Sequence, residues 1–151
     1  MKQVFAETSF LFPLYRAEVH TDKAISVMKD LGSPLPISGL VALEFRQAIR
    51  FQNFLHSKDP SIGIPNKEAG QLLQMFNKDI QDGIFRILPV DWLQAHAIAD
   101  SLGSKHVPKH GHRIMDILHV ATALHLGAKD FLSFDKNQGI LASSEDLKLP
   151  V

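Results

Sequence analysis

Four acids in this chain have the type and placement to do chemistry: Glu7, Glu44, Asp116 and Asp135. Glu7 closes the apolar run Val4-Phe5-Ala6, and Asp135 closes Phe131-Leu132-Ser133-Phe134. Each alone reads as a helix N-cap or first-turn acid. Together they point elsewhere. If the two runs are parallel strands, their ends open on one edge, and two uncompensated carboxylates there repel each other until a divalent cation joins them. Asp116 sits in 113–126, a segment apolar nearly all round. A carboxylate there needs a partner, either Arg113 three residues away or a metal ion. Glu44 lies among Leu40, Val41, Leu43 and Phe45, where it either pairs with Arg46 or projects over the sheet edge. Carboxylate oxygens suit Mg²⁺ or Mn²⁺, which can activate water and stabilise an in-line phosphoryl displacement. The chain has neither a glycine-rich phosphate loop nor a Gly-x-Ser-x-Gly elbow, which sets aside two other hydrolytic routes.

The elements that must position these acids follow from periodicity. Helical patterns occupy 8–15, 20–31, 39–56, 67–82, 92–101 and 113–126, with Gly32, Gly83 and Gly127 as stops. Strand-like runs occupy 4–6, the end of 34–38, 84–90 and 131–134. A short helix and a strand near 147–149 end the chain, and 59–65 and 104–112 read as loops. Strands alternating with helices predict a parallel sheet covered on both faces, with ligands bound beyond the carboxyl ends of the strands.

At 151 residues the chain makes one domain, with enough length to bury its own core. Sixteen basic and 16 acidic residues cancel, which argues against a broadly basic nucleic-acid coat but leaves room for a local basic lip. Cysteine is absent, so disulfides, thiolate catalysis and cysteine-ligated zinc are excluded. Met1-Lys2-Gln3 leads into no signal-peptide core and no run approaches a membrane span, so the expected compartment is the cytoplasm. The most basic stretch, 104–113, carries Lys105, Lys109 and His112. It is an RNA-backbone lip, a transition-metal site through His106, His110 and His112, or a solvated loop. Arg46 and Arg50 form a second candidate RNA contact, which an exposed helical face explains equally well. His119, one turn after Asp116, reads as a buried, hydrogen-bonded core histidine rather than a general base. Phe10, Leu11, Phe12, Leu14 and Tyr15 are core or interface.

The ordered motifs resemble those of PIN domains of the VapC toxin type. Ala6-Glu7-Thr8-Ser9 is similar to the family's first strand end, Leu43-Glu44-Phe45 to its helix glutamate, Arg113-Ile114-Met115-Asp116 to its Arg-x-x-Asp, and Ser133-Phe134-Asp135 to its Thr/Ser-x-Asp. The resemblance runs from Val4 to about Leu141. It implies a three-layer α/β/α sandwich with a central, mainly parallel sheet, a single PIN-like domain over 1–151. It also implies Mg²⁺- or Mn²⁺-dependent endoribonuclease activity, with Glu7, Glu44, Asp116 and Asp135 as the catalytic and metal-binding acids. Thr8, Ser9, Ser133 and Arg113 would support them. The family tends to dimerise and to bind an antitoxin, which makes part of the early apolar run a candidate interface. Two departures stand out. Glu7 replaces the family's usual Asp, and Asn137 takes the place of a further acid, which adds no charge and favours one ion over two.

The expected function is therefore hydrolysis of RNA phosphodiesters by the toxin of a toxin–antitoxin pair. Two rivals remain: a catalytically silent PIN-fold module that binds RNA or protein, and a small phosphohydrolase with a closed pocket beside Asp116.

Overall fold

A computed structural model describes residues 3–151. Met1 and Lys2, which open the segment that carries no signal-peptide core by sequence, lie outside the described residues. In chain order the elements are β1 (Val4–Ala6), α1 (Thr8–Tyr15), α2 (Thr21–Leu31), β2 (Leu35–Ser38), α3 (Gly39–Lys58), α4 (Asn66–Gln81), β3 (Phe85–Leu88), α5 (Trp92–His110), α6 (Ile114–His125), β4 (Asp130–Leu132) and α7 (Lys136–Ser144).

The strands form two parallel pairs. β1 pairs with β4, Phe5 opposite Phe131, and their rings stack at 6.2 Å. β2 pairs with β3 in register from Leu35–Phe85 to Ser38–Leu88. β1 packs beside β2, so the two pairs lie together in the middle of the fold. β1 and β2 are buried at every residue, as parallel strands covered on both faces must be. The helices supply the outer layers, giving the α/β architecture expected of a PIN-like fold.

Three helices start directly beyond strand ends, and side chains of the linking residues cap them. Glu7 caps α1, Ser38 caps α3 and Asp135 caps α7, each accepting a backbone N–H of the first turn. This is how a short sequence segment turns a strand end into a helix start with a carboxylate at the junction. Between α1, α3, α4 and β3, the rings of Phe12, Tyr15, Phe45, Phe76 and Phe85 pack at centroid distances of 4.6–6.4 Å and anchor the long α3 against the sheet.

Two expectations need correction. The 104–112 loop is largely helix: α5 runs on to His110 before Gly111 ends it in the left-handed region at φ 64°. Gly103 and Pro108 read locally as breakers. Buried Leu102 and His106 hold the helical face against the fold instead, and packing outweighs propensity. The final strand reduces to one bridge, Lys148 alongside Asp130. The run from Phe10 to Tyr15 serves mainly as core. Phe10 and Leu11 are fully buried, and Phe12, Leu14 and Tyr15 pack against the core. Among the described residues, no helix is long and apolar enough to cross a membrane.

Candidate functional site

The carboxyl end of β1 is where the site begins. Glu7 N–H donates to the Leu132 carbonyl at 3.2 Å, extending the β1–β4 ladder by one residue. Its side chain, 1% exposed, accepts from Ser9 N–H at 3.0 Å and from the Ser9 hydroxyl. Burial pushes the Glu7 carboxyl above its ordinary value, against the opposing pull of hydrogen bonds from Ser9 and Ser133. Ser9 also ties the two strand ends together. Its Oγ accepts from Phe134 N–H at 2.9 Å and lies 3.3 Å from Ser133 Oγ, which accepts from Asp135 N–H at 3.0 Å.

Glu44 arrives from the second turn of α3. It accepts from the Thr8 hydroxyl and from His119 Nε2 at 3.1 Å. Burial works to raise its carboxyl, but the His119 and Thr8 hydrogen bonds outweigh burial and hold it below its ordinary value. His119 is fully buried and hydrogen-bonded, as a core histidine should be, and it orients an acid of the site. Asp116, in the first turn of α6, accepts from Arg113 N–H at 3.4 Å. Thus Arg113 reaches Asp116 through its backbone, in a helix-capping contact. Asp135 is exposed and accepts from Gln138 N–H at 2.9 Å.

The residue that joins these groups is Gln138, which the motifs did not single out. Its Nε2 donates to Asp116 Oδ1 at 3.0 Å and to Glu7 Oε2 at 3.4 Å. A signal was present: Asp135-Lys136-Asn137-Gln138 has capping-box spacing, which places Gln138 in the first turn beside the N-cap acid. The fold thus links Glu7 to Asp116 through Gln138, and Glu44 to Thr8, the residue after Glu7. Asp135 joins through the Gln138 backbone. Asn137 is exposed.

The donor set consists of hard oxygens, which fits a divalent cation of the Mg²⁺ type. Gln138 Oε1, buried and without a hydrogen-bond partner, is one more such oxygen. Among the described residues, however, no three Asp, Glu or His side chains gather closely enough to hold an ion. Each carboxylate is turned to a nearby donor.

The basic candidates scatter. Lys105 pairs with Glu145 at 3.0 Å, and buried His106 places Nε2 2.7 Å from the same carboxylate. His110 and His112 lie ring to ring at 5.8 Å, and the three histidines form no metal site. Lys109 is exposed, and neither nitrogen of His112 has a hydrogen-bond partner. Arg46 turns to Asn77 and lies over the Phe76 ring, and Arg50 donates to Gln47. Sequence reasoning missed a surface groove of about 820 Å³ beside Asp135, lined by Lys23, Lys136, Ile140 and Leu149. There the His20 ring stacks on Phe134 at 4.2 Å. Lys23 lies more than a hundred residues before Asp135, so only the fold brings them together.

Comparison with known sequences and structures decides the family. The PIN domain profile matches residues 4–142, nearly the whole chain. The chain belongs to the PIN domain family. No curated protein sequence matches it. Among solved structures, the PIN fold seen here is similar to that of FitAcB from Neisseria gonorrhoeae. That match has 16% identity and a TM-score of 0.64, and covers 97% of this chain and 95% of that one. It is also similar to PAE2754 from Pyrobaculum aerophilum, at 16% identity and a TM-score of 0.51, over 93% of this chain and 84% of that one. The three-layer PIN architecture is therefore this chain's fold.

Proposed function

We propose that this PIN domain is a metal-dependent endoribonuclease and the toxin member of a cytoplasmic toxin–antitoxin pair. The observation that supports the reading is the hydrogen-bond network at the carboxyl end of the β1–β4 pair: the Gln138 side chain contacts Glu7 and Asp116, its backbone N–H contacts Asp135, and Thr8, next to Glu7, contacts Glu44. These four acids would hold Mg²⁺ or Mn²⁺, which supplies an activated water and offsets the charge of the phosphate. Thr8 and His119 keep Glu44 ionised, and Ser9 and Ser133 fix the two strand ends. An open groove beside Asp135 with Lys23 and Lys136 on its walls suits a phosphate backbone better than a small ester. Exposed Leu43, Phe51 and Phe54 along α3 support an association surface for an antitoxin or a second copy.

The second reading, a silent binding module, draws on the fact that all four acids already have internal donors. Incubation of a mixed tRNA and rRNA pool with Mn²⁺ separates the two. Discrete fragments that vanish with EDTA and with Asp116→Asn are the expected outcome. Intact RNA from folded, antitoxin-free protein would refute the nuclease reading, and RNA binding that survives loss of all four acids would establish the second.

A further inference from the structure

Gln138 is the polar side chain that the four acids leave unexplained. It is 5% exposed, in the first turn of α7, with its Nε2 shared between Asp116 Oδ1 and Glu7 Oε2 and its Oε1 unpartnered. Among the described residues, no Lys or Arg side chain pairs with Glu7 or Asp116. A primary amide has two N–H groups and can offer one to each of two carboxylates. That is the service a shared cation performs, delivered without a net charge. Hydrogens aimed between two carboxylates also repel an ion arriving there.

We propose that Gln138 is a placeholder for the divalent cation. Its amide holds Glu7 and Asp116 together in the metal-free chain and must withdraw for the ion to bind. It thereby weakens cation affinity. The inference rests on the reading of Glu7 and Asp116 as ligands.

The test is Mn²⁺ binding to RNA-free protein, followed by the electron spin resonance of the free ion. Gln138→Met keeps the length and removes both donors. It is expected to bind Mn²⁺ about tenfold more tightly than the native chain, a difference of about 1.4 kcal/mol. Gln138→Glu is expected to bind more tightly still, because it replaces a competitor with a ligand. In the native protein, Mg²⁺ should shift the Gln138 side-chain NH₂ signals in ¹⁵N spectra and speed their exchange with solvent. Binding unchanged or weakened in the variants, with native binding intact, would overturn the placeholder and leave the nuclease reading standing. Native protein that binds no Mn²⁺ while Gln138→Met does would support the placeholder. Failure of all three proteins to bind would overturn both. Should Gln138→Met fail to fold, Gln138→Glu and the native NH₂ signals still decide, and unmoved signals in Mg²⁺-loaded protein count against the proposal.

Discussion

Glu44 and His119 come from different helices and meet at 3.1 Å, with the histidine side chain fully buried and the glutamate 29% exposed. A hydrogen bond to a charged group in such surroundings contributes about 1.5–3 kcal/mol. Replacing either residue alone would confuse that contribution with other effects. His119→Leu also removes the buried, unpartnered Nδ1, which offsets part of the loss. A double-mutant cycle of Glu44→Ala and His119→Leu cancels such effects, because each occurs in both arms. The coupling expected is about 1.5–3 kcal/mol. For 151 residues, at about 2.1 cal/mol/K each, the melting entropy is roughly 0.3 kcal/mol/K, so the coupling appears as about 5–9 °C of non-additivity in Tm. Urea denaturation and thermal melts of the four proteins, run without metal, give the number. The functional arm is RNA cleavage. On the proposed reading of Glu44 as a metal ligand, the residue that orients it matters by about 10–100-fold, and His119→Leu should slow cleavage by that factor. A coupling below about 0.5 kcal/mol would show that the two side chains act independently and would refute this account of how Glu44 is held.

Three further outcomes follow from the same geometry. Burial raises the Glu7 carboxyl, so its ionisation opposes folding in full above the raised value, and the penalty fades as pH falls from there to the ordinary 4.5. Metal-free native protein should lose stability relative to Glu7→Gln as pH rises from 4 to 8, and a gap that narrows instead would contradict the assignment. Glu145 is the opposite case. Burial works to raise its carboxyl but is outweighed by His106 and Lys105, so its stabilisation is present above the ordinary 4.5 and is lost as pH falls through the lowered folded value; Glu145→Gln should cost about 1 kcal/mol in urea melts at neutral pH and nothing once both states are protonated. At Gly63, with φ of 72°, an added Cβ would lie 2.2 Å from the Gln52 carbonyl oxygen, so Gly63→Ala should cost about 2 kcal/mol or more and lower Tm by about 6 °C.

The family and the layering were legible in the chain because they depend on local chemistry. An acid directly after an apolar run must cap, pair or bind, and Glu7 and Asp135 satisfy that condition as N-caps of α1 and α7. Asp116 inside an apolar helix announces a partner wherever the helix packs. The helix stops at Gly32 and Gly127 were equally local, since both adopt positive φ. Tertiary contacts decided the rest. The helicity of 104–110 depends on the burial of His106, which local breakers cannot reveal. Arg46 and Lys105 read as candidate RNA contacts, yet each has a partner more than 30 residues away, Asn77 and Glu145. Glu44 receives its donors from Thr8 and His119, 36 and 75 residues distant, and the groove beside Asp135 draws Lys23 from the other end of the chain. Above all, the link between Glu7 and Asp116 passes through Gln138, 131 and 22 residues away from them. A residue's type and near neighbours show that a charge needs a partner. Which partner it finds depends on the packing of distant segments, and that is the property a local pattern does not contain.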